Sequence, residues 1–453
     1  MKKFFPLNNN PQIILSFSAF IIIIISRVLF LGNGLGTDGD GWRLVKSGYW
    51  FAKTGIYEPS RFPGYPVPEF FYGIVYLFNI SDFRIINLFT VLVFVVGLFY
   101  YYRILKDQLK TSYPLLIITT FAFTPIIFVN SIATMDYLWS LSFIIISFYY
   151  LLKGNYNLSG ILLGIASGCR PTALILLVPY FYYIKQVKGN YFNKQFIRLT
   201  LLAVLVSFII YSPLIIKYGL SFLTTYPSNY PSVALILGRI FIKNIGLPGT
   251  LALFVFALAA IYGGKTNSLY KQKKTIINTC LLIIAVFLIL FFKLPSGGAY
   301  LIPVIPFLFI VLYYLFPGKL FISFCLAVIL SSFLFSYDAR GLRVKGPVMI
   351  EAEKRAEEMN YLKQVYSNIN KFSDTTIVLA ESFNPKIELY GLLNNLKIPA
   401  NILLKDGLSK DSLIYYQKKN YGIYYLKGID KNLKEMYGYS LSDYGIREIN
   451  INF

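Results

Sequence analysis

Long apolar runs alternate with short polar and basic connections over the first three quarters of the chain. Runs long enough to cross a hydrocarbon core of about 30 Å occupy residues 12–31, 84–102, 113–130, 137–152, 199–216, 246–262, 276–292, 299–316 and 320–336. The stretch 158–184 is equally apolar but is interrupted by Gly168, Arg170 and Pro171, so it is either one kinked crossing or two short ones. Basic residues choose between these, because cytoplasmic loops collect Lys and Arg. The clusters at Lys2 and Lys3, Arg103 to Lys110, Lys153, Lys185 to Arg198, Lys265 to Lys274 and Lys319 share one side only if 158–184 goes out and back. The pattern therefore predicts an all-α polytopic membrane protein with about eleven transmembrane helices, in the plasma (inner) membrane. Its N-terminus is inside and everything after Ser336 is extracytoplasmic. The first run is read as a retained helix, since no small-residue cleavage site follows it.

Two outer segments are predicted to be more than connectors. Residues 32–83 form a loop far above usual connection length, with an aromatic-rich helix over 42–53 suited to the interface. Residues 220–245 include a short helix at 234–245 carrying Arg239 and Lys243. Near residue 337 the pattern changes to balanced charge. Of 43 basic and 21 acidic residues, 17 and 14 fall after residue 337, leaving 26 and 7 before it. The domain reading is a membrane module over 1–336 and a soluble α/β domain over 337–453. The soluble part is predicted as a helix at 348–369, strands at 375–380, 401–404 and 422–426, a helix at 385–396, a short later helix and a final strand at 446–453.

Composition narrows the chemistry. The chain is 56% hydrophobic with 14% charged residues, against about 25% charged in soluble domains. Its net charge of +22 is dispersed among apolar spans, which fits topology and anionic lipid and not nucleic acid. Histidine is absent, so acid–base work falls to Asp, Glu, Lys, Tyr or Cys. Cys169, Cys280 and Cys325 lie in or beside apolar spans and are read as packing residues. No glycine-rich nucleotide fingerprint is present.

With so few carboxylates in the membrane part, Asp38 and Asp40 stand out in Gly36-Thr37-Asp38-Gly39-Asp40-Gly41-Trp42, directly after the first span. Their spacing lets both carboxylates face one space, as a general base with a partner or as oxygen ligands of a divalent cation. A solvated Asp-Gly turn is the ordinary alternative. Asp136 precedes the fourth span, where an N-cap is the ordinary role. Arg170 sits at an intramembrane break, which marks a functional position or a partnered ion. Arg27 is expected to snorkel to the interface. Three prolines make 60–69 an extended turn presenting Arg61 and Glu69, for which a mutual salt bridge is one explanation. Lys293 opens a Gly-rich outer loop.

In their order, these elements resemble the GT-C superfamily of integral membrane glycosyltransferases, and within it the protein mannosyltransferase and aminoarabinose transferase group. The matching features are the acidic pair after the first helix, the large first outer loop with the segment from Arg61 to Pro66, and Asp136. The segment from Gly164 to Thr172 and the stretch from Gly298 to Pro306 follow in the family's order. The resemblance implies transfer of a hexosyl or pentosyl group from a polyprenyl-phosphate sugar donor to an extracytoplasmic acceptor, either glycan, lipid or protein, by a single inverting attack. It makes Asp38 or Asp40 the base, with Asp38 preferred as the first acid after the helix, and Asp136 an assistant. Arg61, Arg170, Arg239 and Lys293 would neutralise the departing phosphate. Members differ in metal dependence; here a cation would be held by Asp38, Asp40 and Asp136 alone. A transporter or flippase of lipid-linked glycan, or an oligosaccharide polymerase or ligase, is the competing reading.

Overall fold

The computed structural model describes residues 11–189, 194–221, 230–262, 269–316, 318–338, 341–426 and 446–449. The first apolar run forms α1 (Pro11–Val28). Two helices then fill the long loop, α2 (Gly39–Thr54) and α3 (Pro66–Leu77). α2 is the helix expected over 42–53. It begins where it does because the Asp38 carboxylate accepts the Asp40 N–H at 3.0 Å, satisfying a donor that has no partner within the helix. A Cβ at Gly48 of α2 would lie 2.3 Å from the Glu69 carbonyl oxygen, so glycine is what lets α2 and α3 touch. The extended turn expected over 60–69 is shorter than that. Pro66 and Pro68 lie in the first turn of α3, where an amide donor has no intrahelical partner to lose.

The bundle continues with α4 (Phe83–Arg103), extended by one π turn to Gln108, then α5 (Pro114–Ala122) and α6 (Pro125–Ser131). The run 113–130 is thus bent, by 65°, ahead of Pro125. α7 (Asp136–Leu152) and α8 (Tyr156–Cys169) follow. The break expected in 158–184 falls at Arg170, beyond which a 3-10 segment (Pro171–Leu176) leads into α9 (Leu177–Lys188). α10 (Lys194–Tyr218), α11 (Val233–Ile240) and α12 (Ile242–Tyr262) come next. The short helix expected over 234–245 is α11 alone; residues 242–245 open α12, which kinks at Gly246 (φ 74°). α13 (Leu269–Lys293), a 3-10 turn (Gly298–Val304), α14 (Ile305–Leu315) and α15 (Gly318–Phe333) complete the bundle.

Among the described residues five helical segments are long and apolar enough to span a membrane: Phe83–Gln108, Lys194–Tyr218, Ile242–Tyr262, Lys273–Lys293 and Gly298–Leu315. The bent pair α5 and α6 adds one if it counts as a single span, and four further apolar helices are shorter. Close packing in the first half depends on small residues. Cβ atoms added at Gly160, Gly164 and Gly168 of α8 would lie 2.4–2.7 Å from Leu199, Val206 and Ile210 of α10. The two backbones therefore meet, as small residues at four-residue spacing allow between membrane helices.

The C-terminal part is α/β, as expected. A short hairpin of β1 (Ser336–Asp338) and β2 (Gly341–Arg343) leads to α16 (Pro347–Ile369), β3 (Thr376–Leu379), α17 (Asn384–Leu393), β4 (Ile402–Lys405), α18 (Lys410–Lys418), β5 (Gly422–Tyr425) and β6 (Arg447–Glu448). The sheet has the order β4-β3-β5-β6 with all strands parallel. β3 is buried throughout, as its continuous Thr-Ile-Val-Leu run requires of a central parallel strand. The hairpin and α18 were not anticipated. The short later helix and residues 450–453 of the last strand lie outside the described residues. This layer does not stand apart: α16 packs on α15 and α6, and α17 packs on α2.

Candidate active site

Each acid and base of the site is placed by a local reason. Asp38 is exposed and serves as the cap of α2. Asp40, in the first turn of α2, is 26% exposed and faces two guanidiniums, Arg43 at 3.4 Å and Arg61 at 3.2 Å. Burial pushes the Asp40 carboxyl above its ordinary range; Arg61 and Arg43 pull it back, and Asp38 adds to the rise. Arg61 is held by the turn before α3, with its guanidinium over the Tyr65 ring at 4.3 Å. A mutual salt bridge with Glu69, one of the explanations open to the sequence, does not form. Glu69 is fully buried and accepts from the Tyr57 hydroxyl and from the Ser60 and Tyr65 amides at 2.8 and 3.3 Å, which stiffens the turn.

Arg61 instead reaches Asp136, Nη2 to Oδ1 at 3.0 Å. Asp136 opens α7 but does not cap it, since its other oxygen takes the Arg170 guanidinium. Both oxygens of this fully buried carboxylate are therefore occupied by arginines. Arg170 is aimed by the proline that follows it. Pro171 disfavours helical geometry at the preceding residue, and Arg170 is extended (φ −153°, ψ 116°), ending α8. Its guanidinium lies over Tyr137 at 4.0 Å and near the rings of Tyr300 and Tyr65 at 5.2 and 5.7 Å.

The result is a charge chain, Asp40–Arg61–Asp136–Arg170, joining four segments far apart in sequence. Its backbone supports are also joined: the Thr134 amide donates to the Leu35 carbonyl at 3.2 Å, and the Thr134 hydroxyl lies 3.1 Å from the Leu35 and Gly41 carbonyls. The loops carrying Asp40 and Asp136 are one unit. Arg239 and Lys293 do not enter the chain. Arg239 donates to the Pro295 carbonyl, holding the loop that leads to Tyr300. Lys293 is exposed, without an ion-pair partner among the described residues. The tyrosines around the arginines escaped sequence reading because nothing marks three of 38 tyrosines as neighbours.

Beside Asp40 opens a cavity of about 590 Å³ between α2 and α17, its walls including Arg43, Lys46, Trp50, Lys53, Ser60 and Glu388. Arg43 spans from the cavity wall to Asp40. Pockets of this kind at domain junctions are where ligands bind. Among the described residues no three His, Cys, Asp or Glu side chains converge as a cation site. All three cysteines are buried and unpaired, as expected of packing residues.

The same bundle matches ArnT from Cupriavidus metallidurans in the apo state, with a TM-score of 0.53 at 10% identity over 84% of each chain. The chain has the fold of the GT-C glycosyltransferases. The oligosaccharyltransferase of Archaeoglobus fulgidus in its apo form also aligns, with a TM-score of 0.49 at 12% identity over 83% of this chain and 63% of that one. No protein-family model and no curated protein matches the chain. The resemblance read from motif order is thus met at the level of architecture.

Proposed function

We propose that the chain is an inverting glycosyltransferase that moves a sugar from a polyprenyl-phosphate donor to an extracytoplasmic acceptor. The observation that carries this is the charge chain: an acid partly open to solvent at one end, the half-buried Arg61 and the buried Arg170 behind it, in a chain with the fold of ArnT. Asp40 takes the proton of the acceptor hydroxyl. The freed oxygen attacks the anomeric carbon while the bond to the phosphate oxygen breaks, and polyprenyl phosphate leaves with the electron pair. Asp40 is better suited than Asp38 because its carboxyl ends the charge chain and meets Arg43 of the cavity wall, whereas Asp38 is engaged as a helix cap. Arg61 and Arg170 supply the positive field for the developing phosphate charge, the electrostatic effect that usually dominates. Arg239 acts by shaping the Tyr300 loop, and Lys293 meets the donor headgroup from the exposed end of α13. The cavity between α2 and α17 admits the acceptor, with Trp50 as an apolar face for a sugar ring.

The donor set does not fit a cation held by three carboxylates. Asp136 is saturated by two arginines and Asp40 is flanked by two, so no step is routed through a metal. Eleven crossings follow if α1, α4, α5 with α6, α7, α8, the segment to α9, α10, α12, α13, the segment to α14, and α15 each cross once. The ends sort accordingly. Asp40, Arg61, Asp136, Arg170 and Tyr300 gather at one end, while Lys273 bonds the Gln108 carbonyl at 2.8 Å and Tyr314 the Leu109 carbonyl at 3.2 Å at the other. This supports an N-terminus inside and the C-terminal domain outside, in the plasma membrane.

The test is a reconstituted vesicle assay with a panel of polyprenyl-phosphate sugars and a cell-envelope extract as acceptor. Release of free polyprenyl phosphate with a gain of one sugar in the acceptor is expected, and its loss in Asp40→Asn. Movement of intact donor between leaflets without release would make the chain a flippase. Gain of whole repeats would make it a polymerase or ligase.

A further inference from the structure

The soluble domain reaches into the supports of the charge chain at four places. Arg355, 1% exposed on α16, donates to three backbone carbonyls: Asn33 at 2.9 Å, Gly34 at 2.6 Å and Ile132 at 2.9 Å. The first two belong to the loop that delivers Asp38 and Asp40, the third to the loop that delivers Asp136. From the same helix, Glu351 accepts the Thr37 hydroxyl at 2.8 Å and the Thr37 amide at 3.3 Å. Lys386, 6% exposed at the start of α17, donates to the Thr37 carbonyl at 2.8 Å and is paired with Glu358 at 2.5 Å. Thr37 is thus held through its side chain, amide and carbonyl by residues more than 300 positions away in sequence.

Arg355 is an unusual choice for so buried a place. A planar guanidinium carries five donors in a fixed fork, spread widely enough to satisfy three carbonyls from two loops at once. It faces no substrate cavity, so its reach is spent on backbone.

We infer that the C-terminal domain is a positioning element of the site: Arg355 clamps the 33–40 loop to the 132–136 loop, and Glu351 with Lys386 fixes Thr37, so that Asp40 and Asp136 share Arg61. Only the activity arm of this inference rests on the proposed transferase reading. The clamp itself is a statement about two loops. It also predicts a division of labour, because Arg355 touches both loops whereas Glu351 and Lys386 touch one.

Hydrogen–deuterium exchange on the full chain in detergent tests it, read as local opening. Arg355→Gln is expected to speed exchange at least tenfold in both 33–41 and 132–136 while amides of α8 and α10 keep their wild-type protection. Glu351→Gln is expected to speed exchange in 33–41 alone, and Arg355→Lys to restore part of the protection. If Arg355→Gln does not accumulate folded, Glu351→Gln and Lys386→Gln carry the test through Thr37. Unchanged exchange at both segments, or uniform loosening of the bundle, overturns the clamp. In the vesicle assay, Arg355→Gln should form at least tenfold less product per folded molecule. Local loosening with undiminished product overturns the positioning role. A wild-type chain that forms no product removes the transferase reading and leaves the exchange result to decide the clamp.

Discussion

Arginine is buried in two parts of the bundle, and the surroundings are opposite in kind. Arg27, near the end of α1, was expected to reach the interface but is fully buried. It donates to the Ala122 and Ile23 carbonyls and to Ser26 and Ser131, and lies 4.3 and 4.9 Å from the rings of Phe128 and Phe123. No carboxylate faces it among the described residues. Its donors end on fixed backbone and hydroxyls, so it ties α1 to α5 and α6 and has nothing left to offer a ligand. Arg61 and Arg170 share one carboxylate, and Arg61 Nη1, though near Asp40, is buried without a hydrogen bond. An arginine sealed by carbonyls is structural, whereas Arg61 and Arg170 are held by the carboxylates of a charge chain with one open end, where an incoming anion can compete for them.

The comparison can be broken in graded ways. The largest effect is expected from Asp40→Asn, which removes the proposed base and should lower product about 10²–10⁴-fold without lowering thermal stability; sugar-transfer assays on matched amounts of protein check it. Asp136→Asn comes next. It leaves two buried guanidiniums facing a neutral amide, so product should be lost together with about 3–5 kcal/mol of stability, seen as a lower midpoint in a thermal shift series.

As the proposed base Asp40 would have to be ionised, and its pKa is raised because burial lifts it more than Arg61 lowers it. Transfer should therefore fall as pH drops through that raised pKa. Arg43→Gln, which removes one of the opposing positive charges, should move the acid limb of the pH–rate profile upward. An acid limb at the ordinary Asp position would argue against Asp40 as the base. Arg27→Met belongs to the sealed region. It should cost about 1–3 kcal/mol from unsatisfied carbonyls and leave product per folded molecule unchanged. The smallest effect is expected from Asp38→Asn, because asparagine caps a helix about as well as aspartate.

Much of the plan is legible in the sequence. Apolar runs located the helices, Pro171 marked the break at Arg170, and the scarcity of acids pointed to Asp38, Asp40 and Asp136. Partnerships were not legible, because they join segments separated by whole helices. Nothing local says that Arg61 prefers Asp136 to the nearby Glu69, whose carboxylate is already filled by the turn around it. Chain position alone orders the acid pair and does not reveal that Asp38, the acid just before the helix, is its cap. Arg355 did leave a signal. Val348, Arg355, Leu362 and Ile369 recur at seven-residue spacing on the buried face of α16, so a charge stood on an apolar stripe. It was hidden by the balanced charge of the C-terminal part, in which one more arginine looks like surface.

The most direct measurement compares surface glycans by mass spectrometry in cells lacking the chain and in cells complemented with wild type, Asp40→Asn or Asp38→Asn at matched membrane levels. The account predicts that one defined sugar disappears without the chain, returns with wild type and with Asp38→Asn, and stays absent with Asp40→Asn. Full restoration by Asp40→Asn would contradict it, because the open end of the charge chain would then have no part in the reaction.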